Sequence, residues 1–362
     1  MYKIKTMNKK LNILAILFIV TVFSANARIW TVNNNNNSPG ELTDLQLACD
    51  TASAGDTILV SGSATSYGEI YIRKQLTLIG AGYNPNNQDK LYSKISYCRF
   101  ANETDDFGNI INVPDHSSVM GFLISSMWNN IANASDITIQ YNNIGMLAIY
   151  GSDVSNADNW LISNNYISSE ISGTEYLTNC VISNNIISGS LASIKSNTVI
   201  ISNNIIIGDS YFFIGEVSPA AMPEYLTVSN NIFYGKSTEG ADNSTFNNNI
   251  SFMGSQTNFD YDNNVSNNNI EATNPQFVNA PDFIFDYTDD FHLAAGSPGI
   301  NAGTDGTDIG IYGGMYPWQE EVSPFMNSPM PNIPQVIEMS ILTPFVPIDS
   351  QLNVHIKAKK QD

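Results

Sequence analysis

Basic side chains are what this sequence most lacks. Its 362 residues hold 15 Lys and Arg against 34 Asp and Glu, for a formal net charge of -19. Four of the fifteen (Lys3, Lys5, Lys9 and Lys10) fall in the first ten positions, so the remainder carries 11 − 34 = -23. Between Arg99 and Lys357 only Lys195 and Lys236 are basic. Such a surface repels phosphate backbones and anionic membranes, which excludes nucleic acid as a partner. It also resists acidic polysaccharides unless a cation bridges them. Cysteine is scarce too, with Cys49, Cys98 and Cys180 alone, an odd number that allows at most one pair. Three scattered histidines and three scattered cysteines do not supply the clustered spacing that zinc needs. Beyond the first 27 residues no apolar run reaches the ~18 residues of a spanning helix. Charged residues are only 14% of the chain while 43% are apolar, which rules out a disordered acidic tail.

The start reads as an address. Lys9 and Lys10 precede an apolar run, Leu11 to Phe23, broken only by Asn12 and Thr21, and Ser24-Ala25-Asn26-Ala27 follows. A basic end, a short apolar core and small residues at −3 and −1 make a secretory signal cleaved after Ala27. The run is too short to cross a bilayer of about 30 Å, and no cysteine follows it for lipid attachment. The expectation is export, to the cell surface or the extracellular space, with the periplasm as the alternative, and a mature chain without a transmembrane segment.

Asparagine is what the sequence has in excess, 47 of 362 residues. Much of it lies in a repeated pattern: Ile137-Thr-Ile-Gln-Tyr-Asn-Asn-Ile144, Trp160-Leu-Ile-Ser-Asn-Asn-Tyr-Ile167, Val181-Ile-Ser-Asn-Asn-Ile-Ile187 and Ile200-Ile-Ser-Asn-Asn-Ile-Ile206. Weaker copies continue to Val265, and the Asn pairs begin at 142, 164, 184, 203, 230, 248 and 263, a mean step of about 20 residues. That period with one short strand per unit signals a solenoid. A lone strand cannot bury its apolar face, but strands stacked on like neighbours can. Asn tolerates the left-handed backbone of a sharp turn, and stacked Asn side chains can form a hydrogen-bonded ladder. Ile, Val and Thr argue for strands over helical repeats. The fold class expected is all-β, a parallel β-helix. At this period Cys98 and Cys180 stand about four layers, roughly 19 Å, apart, too far to bridge, so buried free thiols are expected.

Three further segments carry a family resemblance over roughly residues 30–315. Leu42-Thr-Asp-Leu-Gln-Leu-Ala-Cys-Asp-Thr-Ala-Ser-Ala-Gly-Asp-Thr-Ile58 looks like an amphipathic capping helix, with Ser38 and Glu41 as a capping box and Gly55 suiting its end. Glu69-Ile-Tyr-Ile-Arg-Lys-Gln-Leu-Thr-Leu-Ile-Gly80 follows as a first coil, and Asp290-Phe-His-Leu-Ala-Ala-Gly-Ser-Pro-Gly-Ile-Asn-Ala-Gly303 is similar to a terminal rung of bacterial members. On these residues the chain resembles the secreted right-handed parallel β-helix proteins of the pectate-lyase-like superfamily. The resemblance implies an N-terminal cap, and the stretch from Thr57 to Gly303 at ~21 residues per layer gives about 11–12 coils. The division expected is a signal peptide at 1–27, a cap at 28–56, the β-helix at 57–316, a Pro-rich linker at 317–335 and a short β segment at 336–362. That last segment reads either as a sorting element or as a hairpin covering the open edge of the rod.

Lyases of that superfamily typically take a proton beside a uronate carboxylate with an Arg or Lys base, helped by Ca²⁺. Here Lys195 is the weak candidate for a lone base, and the shortage of basic residues along the groove departs from the lyase pattern. Related hydrolases use clustered Asp with a Gly-flanked His. Asp105, Asp106, Asp286, Asp289, Asp290, Asp305 and Asp308 are the acidic groups available, with Asp286, Asp289 and Asp290 the weak catalytic candidates, but His116 and His292 stand alone. No cofactor is required. Ca²⁺ is the ion that could bind, at Asp305 and Asp308, although their spacing matches no calcium loop. The remaining signal is aromatic: Trp128, Tyr150, Trp160 and Tyr211 are candidates to stack on sugar, with Tyr166, Phe212 and Phe213 nearby. The 27-residue step after Asn203 carries an insertion, Gly208 to Tyr225, expected to leave the rod as a loop. The functional expectation is a monomeric, secreted or surface protein that binds glycan without catalysis. The alternatives are a polysaccharide lyase or glycoside hydrolase with an unfamiliar site, and a structural or adhesive rod.

Overall fold

The computed structural model describes residues 27–35, 40–83, 91–129, 134–150, 157–174, 176–215 and 222–318, and the strands Gln335–Ile341 and Val354–Lys359. The leader through residue 26 and Ser38 lie outside the described residues. Two long sheets, of eleven and twelve strands, run side by side and every pairing within them is parallel. The chain is an all-β parallel solenoid. The eleven-stranded sheet starts at Ile29–Val32 and ends at Val265–Asn267. The stack therefore begins before the cap helix rather than at 57, and residues 277–318 are not further coil. Ten steps of about 4.8 Å make it roughly 48 Å long.

Alternation places one row of side chains inside. Ile58, Leu78, Val119, Ile139, Ile162, Ile182, Ile201, Val228 and Phe246 sit in register on successive strands of the first sheet, each fully buried. Burial of such side chains stabilises by about 1.5–3 kcal/mol each. At one end the helix Leu45–Thr51 covers the core with Leu45, Ala48 and Cys49. Its N-cap is Asp44, whose carboxylate accepts from the Leu47 N–H at 2.8 Å. Glu41, expected in a capping box, pairs instead with Arg28, because the N-cap is Asp44, six residues beyond Ser38. At the other end Phe212, Phe213, Phe233, Phe246 and Phe259 interlock with ring centroids 4.8–6.1 Å apart. Phe213–Ile214 also pairs with Leu191–Ala192 in the second sheet. The insertion after Gly208 is thus built into the rod over much of its length, since burying two Phe rings outweighs the cost of the detour. The three cysteines are free and buried, as expected, and burial pushes the Cys49 thiol up to about 12.

The second Asn of each pair forms the corner ladder. The Asn165 main-chain N–H and Nδ2 both donate to Asn185 Oδ1, and the relation repeats from Asn142 through Asn204, Asn231 and Asn249 to Asn269. The preceding residue holds the left-handed turn: Asn164, Asn184, Asn203, Asn230, Asn248 and Asn268 have φ of 52–58°. Two sequence assignments change by register. At the first copy Tyr141 takes the turn and Asn142 the ladder. At the last, Asn264 serves a different corner, accepting from the Ser244 N–H.

The first Asn points outward, and a returning segment lies on it. Asn248 Nδ2 donates to Ala302 O, Asn230 exchanges bonds with Thr304, Asn203 donates to Gly310 O, Asn184 to Ile311 O and Gly313 O, and Asn164 to Tyr316 O. Residues 302–318 therefore run back along the solenoid, opposite to the direction of stacking. Beneath residues 277–318 lies a second apolar layer: Ile186, Ile205, Ile232 and Ile250 form one outward column of the second sheet, and Phe283, Phe285, Phe291, Ile309, Ile311 and Trp318 pack on it. The segment expected to be a terminal rung is this cover. Gln335–Ile341 and Val354–Lys359 form an antiparallel pair.

Candidate functional site

The candidate residues divide by which way the pleat turns them. Trp160 is inside: it is 1% exposed, its Nε1 donates to Ala134 O at 2.7 Å, and its ring meets Phe100 edge-on at 5.3 Å. It cannot meet a sugar, which removes it from the binding set. Phe212 and Phe213 are removed for the same reason. Tyr166 lies under the cover, 4.1 Å from the Phe285 ring. Trp128 is half-buried on the outer face, Tyr150 shares a hydrogen bond with Ser172 Oγ at 3.2 Å, and Tyr211 is 51% exposed.

The acidic candidates are engaged in turns of the cover. Asp286 accepts from the Thr288 N–H and hydroxyl, which holds its carboxyl below the usual range. Asp289 is buried and accepts from the Asp286 N–H at 2.8 Å, and burial pushes its carboxyl upward. Asp290 accepts from the His292 N–H and faces His292 Nδ1 at 2.5 Å. Asp305 accepts from Thr307, and Asp308 from the Asn301 N–H. Lys195 donates to Glu224 at 2.9 Å, so it is not gathered with any of these aspartates. Among the described residues no three His, Cys, Asp or Glu side chains converge to hold a metal ion, and no helix is long and apolar enough to cross a membrane.

What the structure does gather is a patch around Trp128 whose other members, Glu69, Tyr71, Arg73, Tyr97 and Arg99, are absent from the sequence-derived set. Strands Glu69–Ile72, Ser93–Phe100 and Phe122–Asn129 are successive neighbours in the second sheet. Their register puts Tyr71, Arg99 and Trp128 in one outward column, with Glu69 and Tyr97 in the next. The Arg99 guanidinium lies 5.1 Å from the Trp128 ring, 5.6 Å from Tyr97 and 6.0 Å from Tyr71. Its Nε donates to Glu69, and that bond, with a second from Tyr71, holds the Glu69 carboxyl below its usual range. Arg73 stacks on Tyr71 at 4.6 Å. Tyr97 is 42% exposed. Beside Trp128 in the next strand stands Ala148, too small to cover the ring. The sequence signal was available: Tyr71 and Arg73, like Tyr97 and Arg99, are two residues apart and therefore share a face. Aromatic faces, a forked donor and a carboxylate acceptor together suit a ligand with apolar faces and hydroxyl edges. No family model and no curated protein matches this chain.

Proposed function

We propose that the chain is an exported β-helix protein of the pectate-lyase-like kind that binds glycan on the outer face of its first coils, without catalysis there. The observation that carries this reading is the grouping of Trp128, Tyr97 and Tyr71 about the Arg99–Glu69 pair on three successive strands. Tyr71 and Trp128 flank Arg99 in one column, two rungs apart, with Tyr97 beside them, and sugar rings present apolar faces that match such rings. Because Glu69 and Arg99 offset each other's charge, the patch recognises hydroxyls rather than ionic groups. Among the described residues five cationic side chains (Arg28, Arg73, Lys74, Lys94 and Arg99) also lie in these first coils, which relieves locally the repulsion an acidic chain exerts on acidic glycans.

The test is retention of the full chain on a panel of immobilised neutral and acidic plant and algal polysaccharides, with and without Ca²⁺. At least one should retain it, and Trp128→Ala should abolish that retention. The same samples are assayed for new reducing ends. Binding that is indifferent to Trp128→Ala and Arg99→Ala, or no retention at all, overturns the assignment. Reducing ends that depend on the patch would make it an active site instead.

A further inference from the structure

Lys236 is a buried lysine whose amine ends on an exposed serine. The Ser237 N–H donates to Ser210 O at 3.0 Å, and Tyr211 bridges Ser237 in parallel, so Ser210 and Lys236 face each other on successive turns. The lysine is 3% exposed, and Nζ donates to Ser210 Oγ at 2.9 Å. Its stem runs over Gly208, where a Cβ would come within 2.6 Å of Lys236 Cε, so the glycine makes room for it. Burial pushes the amine below the ordinary lysine range, opposed by the charge of Asp209. An amine so placed gives up hydration for one neutral hydroxyl, an arrangement that stability alone does not favour. Ser210 itself is exposed. The next residue, Tyr211, stands on the rim of a cavity of ≈ 440 Å³ also lined by Phe213, Ile214, Met222 and Glu239.

We propose that Ser210 and Lys236 form a nucleophile–base pair that cleaves acyl esters on sugars held against Tyr211. The sugar part of this statement rests on the glycan reading; the ester chemistry does not. Uncharged Lys236 Nζ takes the Ser210 hydroxyl proton as Oγ bonds to the ester carbonyl carbon. The bond from that carbon to the sugar oxygen then breaks, and the departing oxygen takes the proton from Lys236. Water adds to the acyl-Ser210 carbonyl while giving a proton to Lys236. The bond to Oγ breaks, the proton returns to Ser210, and a carboxylic acid leaves. The site stands four rungs from Trp128, roughly 19 Å along the rod, so binding and cleavage are separable.

The full chain is treated with a fluorophosphonate and, separately, with p-nitrophenyl acetate, beside Ser210→Ala and Lys236→Met. Peptide mass spectrometry should place the phosphonate on Ser210, and ester hydrolysis should rise with pH to a plateau. Hydrolysis should fall to background in Ser210→Ala and by about 100-fold or more in Lys236→Met. Should the buried Lys236→Met variant fail to fold, Ser210→Ala, at an exposed position and checked by circular dichroism, carries the test alone. A folded chain without the label on Ser210, or hydrolysis that survives Ser210→Ala, overturns the proposal. Neither readout uses glycan, so its failure leaves binding at Trp128 standing, and loss of glycan retention leaves the ester chemistry standing.

Discussion

The Asn204 side-chain carbonyl accepts two hydrogen bonds from Asn185, from its main-chain N–H at 2.8 Å and from Nδ2 at 3.0 Å. Asn204 Nδ2 in turn donates to Ile182 O, Ser202 O and Asn231 Oδ1, so one buried side chain satisfies polar groups of three turns. Its neighbour Asn203 donates to the cover at 3.4 Å. Adjacent residues of one repeat thus do different work, one holding coils to each other and one holding the cover.

That difference has a measurable size. Asn204→Ala orphans several buried groups at once and should cost about 3 kcal/mol or more, since each costs roughly 1–3 kcal/mol. Asn203→Gly keeps the left-handed turn (φ 56°) and should cost about 1 kcal/mol or less. Urea midpoints of the two variants check the order. Equal losses would mean that the ladder bonds add nothing beyond the bond from Asn203 to the cover.

The two tryptophans named for sugar binding should separate cleanly. Trp160→Ala empties a buried site and should cost about 3–5 kcal/mol, with glycan affinity in the surviving folded fraction unchanged. Trp128→Ala, half-buried on the outer face, should lose retention while its melting temperature falls much less. Thermal melts run beside retention on the same polysaccharide decide the matter.

Trp318 anchors the far end of the cover through Nε1 to Asn184 O at 2.6 Å and an edge contact with Tyr141 at 6.5 Å. Trp318→Ala should cost about 3–5 kcal/mol and expose Ile186 and Ile205 to solvent. Increased binding of a hydrophobic dye below the unfolding transition is the expected sign, with cleavage by protease within 302–318 before the coils are cut.

Asp56 carries an acid-sensitive part of the stability. Burial alone would raise its carboxyl, but bonds from the Arg28 N–H, Trp30 Nε1 and the Ser53 N–H hold it below the usual range. A depressed folded value stabilises above the unfolded value and is lost as pH falls through the folded one. Asp56→Asn should therefore be destabilised by about 2–3 kcal/mol near pH 7, with the gap to the parent chain narrowing as pH falls from 4 toward 2. Urea unfolding of both chains at each pH measures it; a gap independent of pH would contradict the assignment.

The coil was legible in the sequence because its determinants are local. An alternating strand followed by Asn-Asn states the turn, the ladder and the inward face within about eight residues. The cover was not, because Phe283, Phe285 and Tyr287 follow no period and meet Tyr234, Tyr166 and Tyr83, which lie 49, 119 and 204 positions away. A trace of it was present in Ile205-Ile-Ile207, where both faces of the strand are apolar, the pattern of a strand buried on both sides. Trp128 and Trp160 could not be told apart, since a shift of one residue in register exchanges inside and outside. Arg99 carries no signal in the sequence beyond its spacing from Tyr97, because the number of cations does not tell which outward column each one joins.

The cover's hydrogen bonds to the Asn row join residues 54 to 152 positions apart. Such closures are slow to form by themselves, and here their docking surface exists only once the coils beneath are stacked. The cover must therefore zip on last, and its contacts are missing from the barrier to coil formation. Interactions of that kind leave the folding rate nearly untouched and retard unfolding, so the returning segment acts as a latch that lengthens the lifetime of the finished rod.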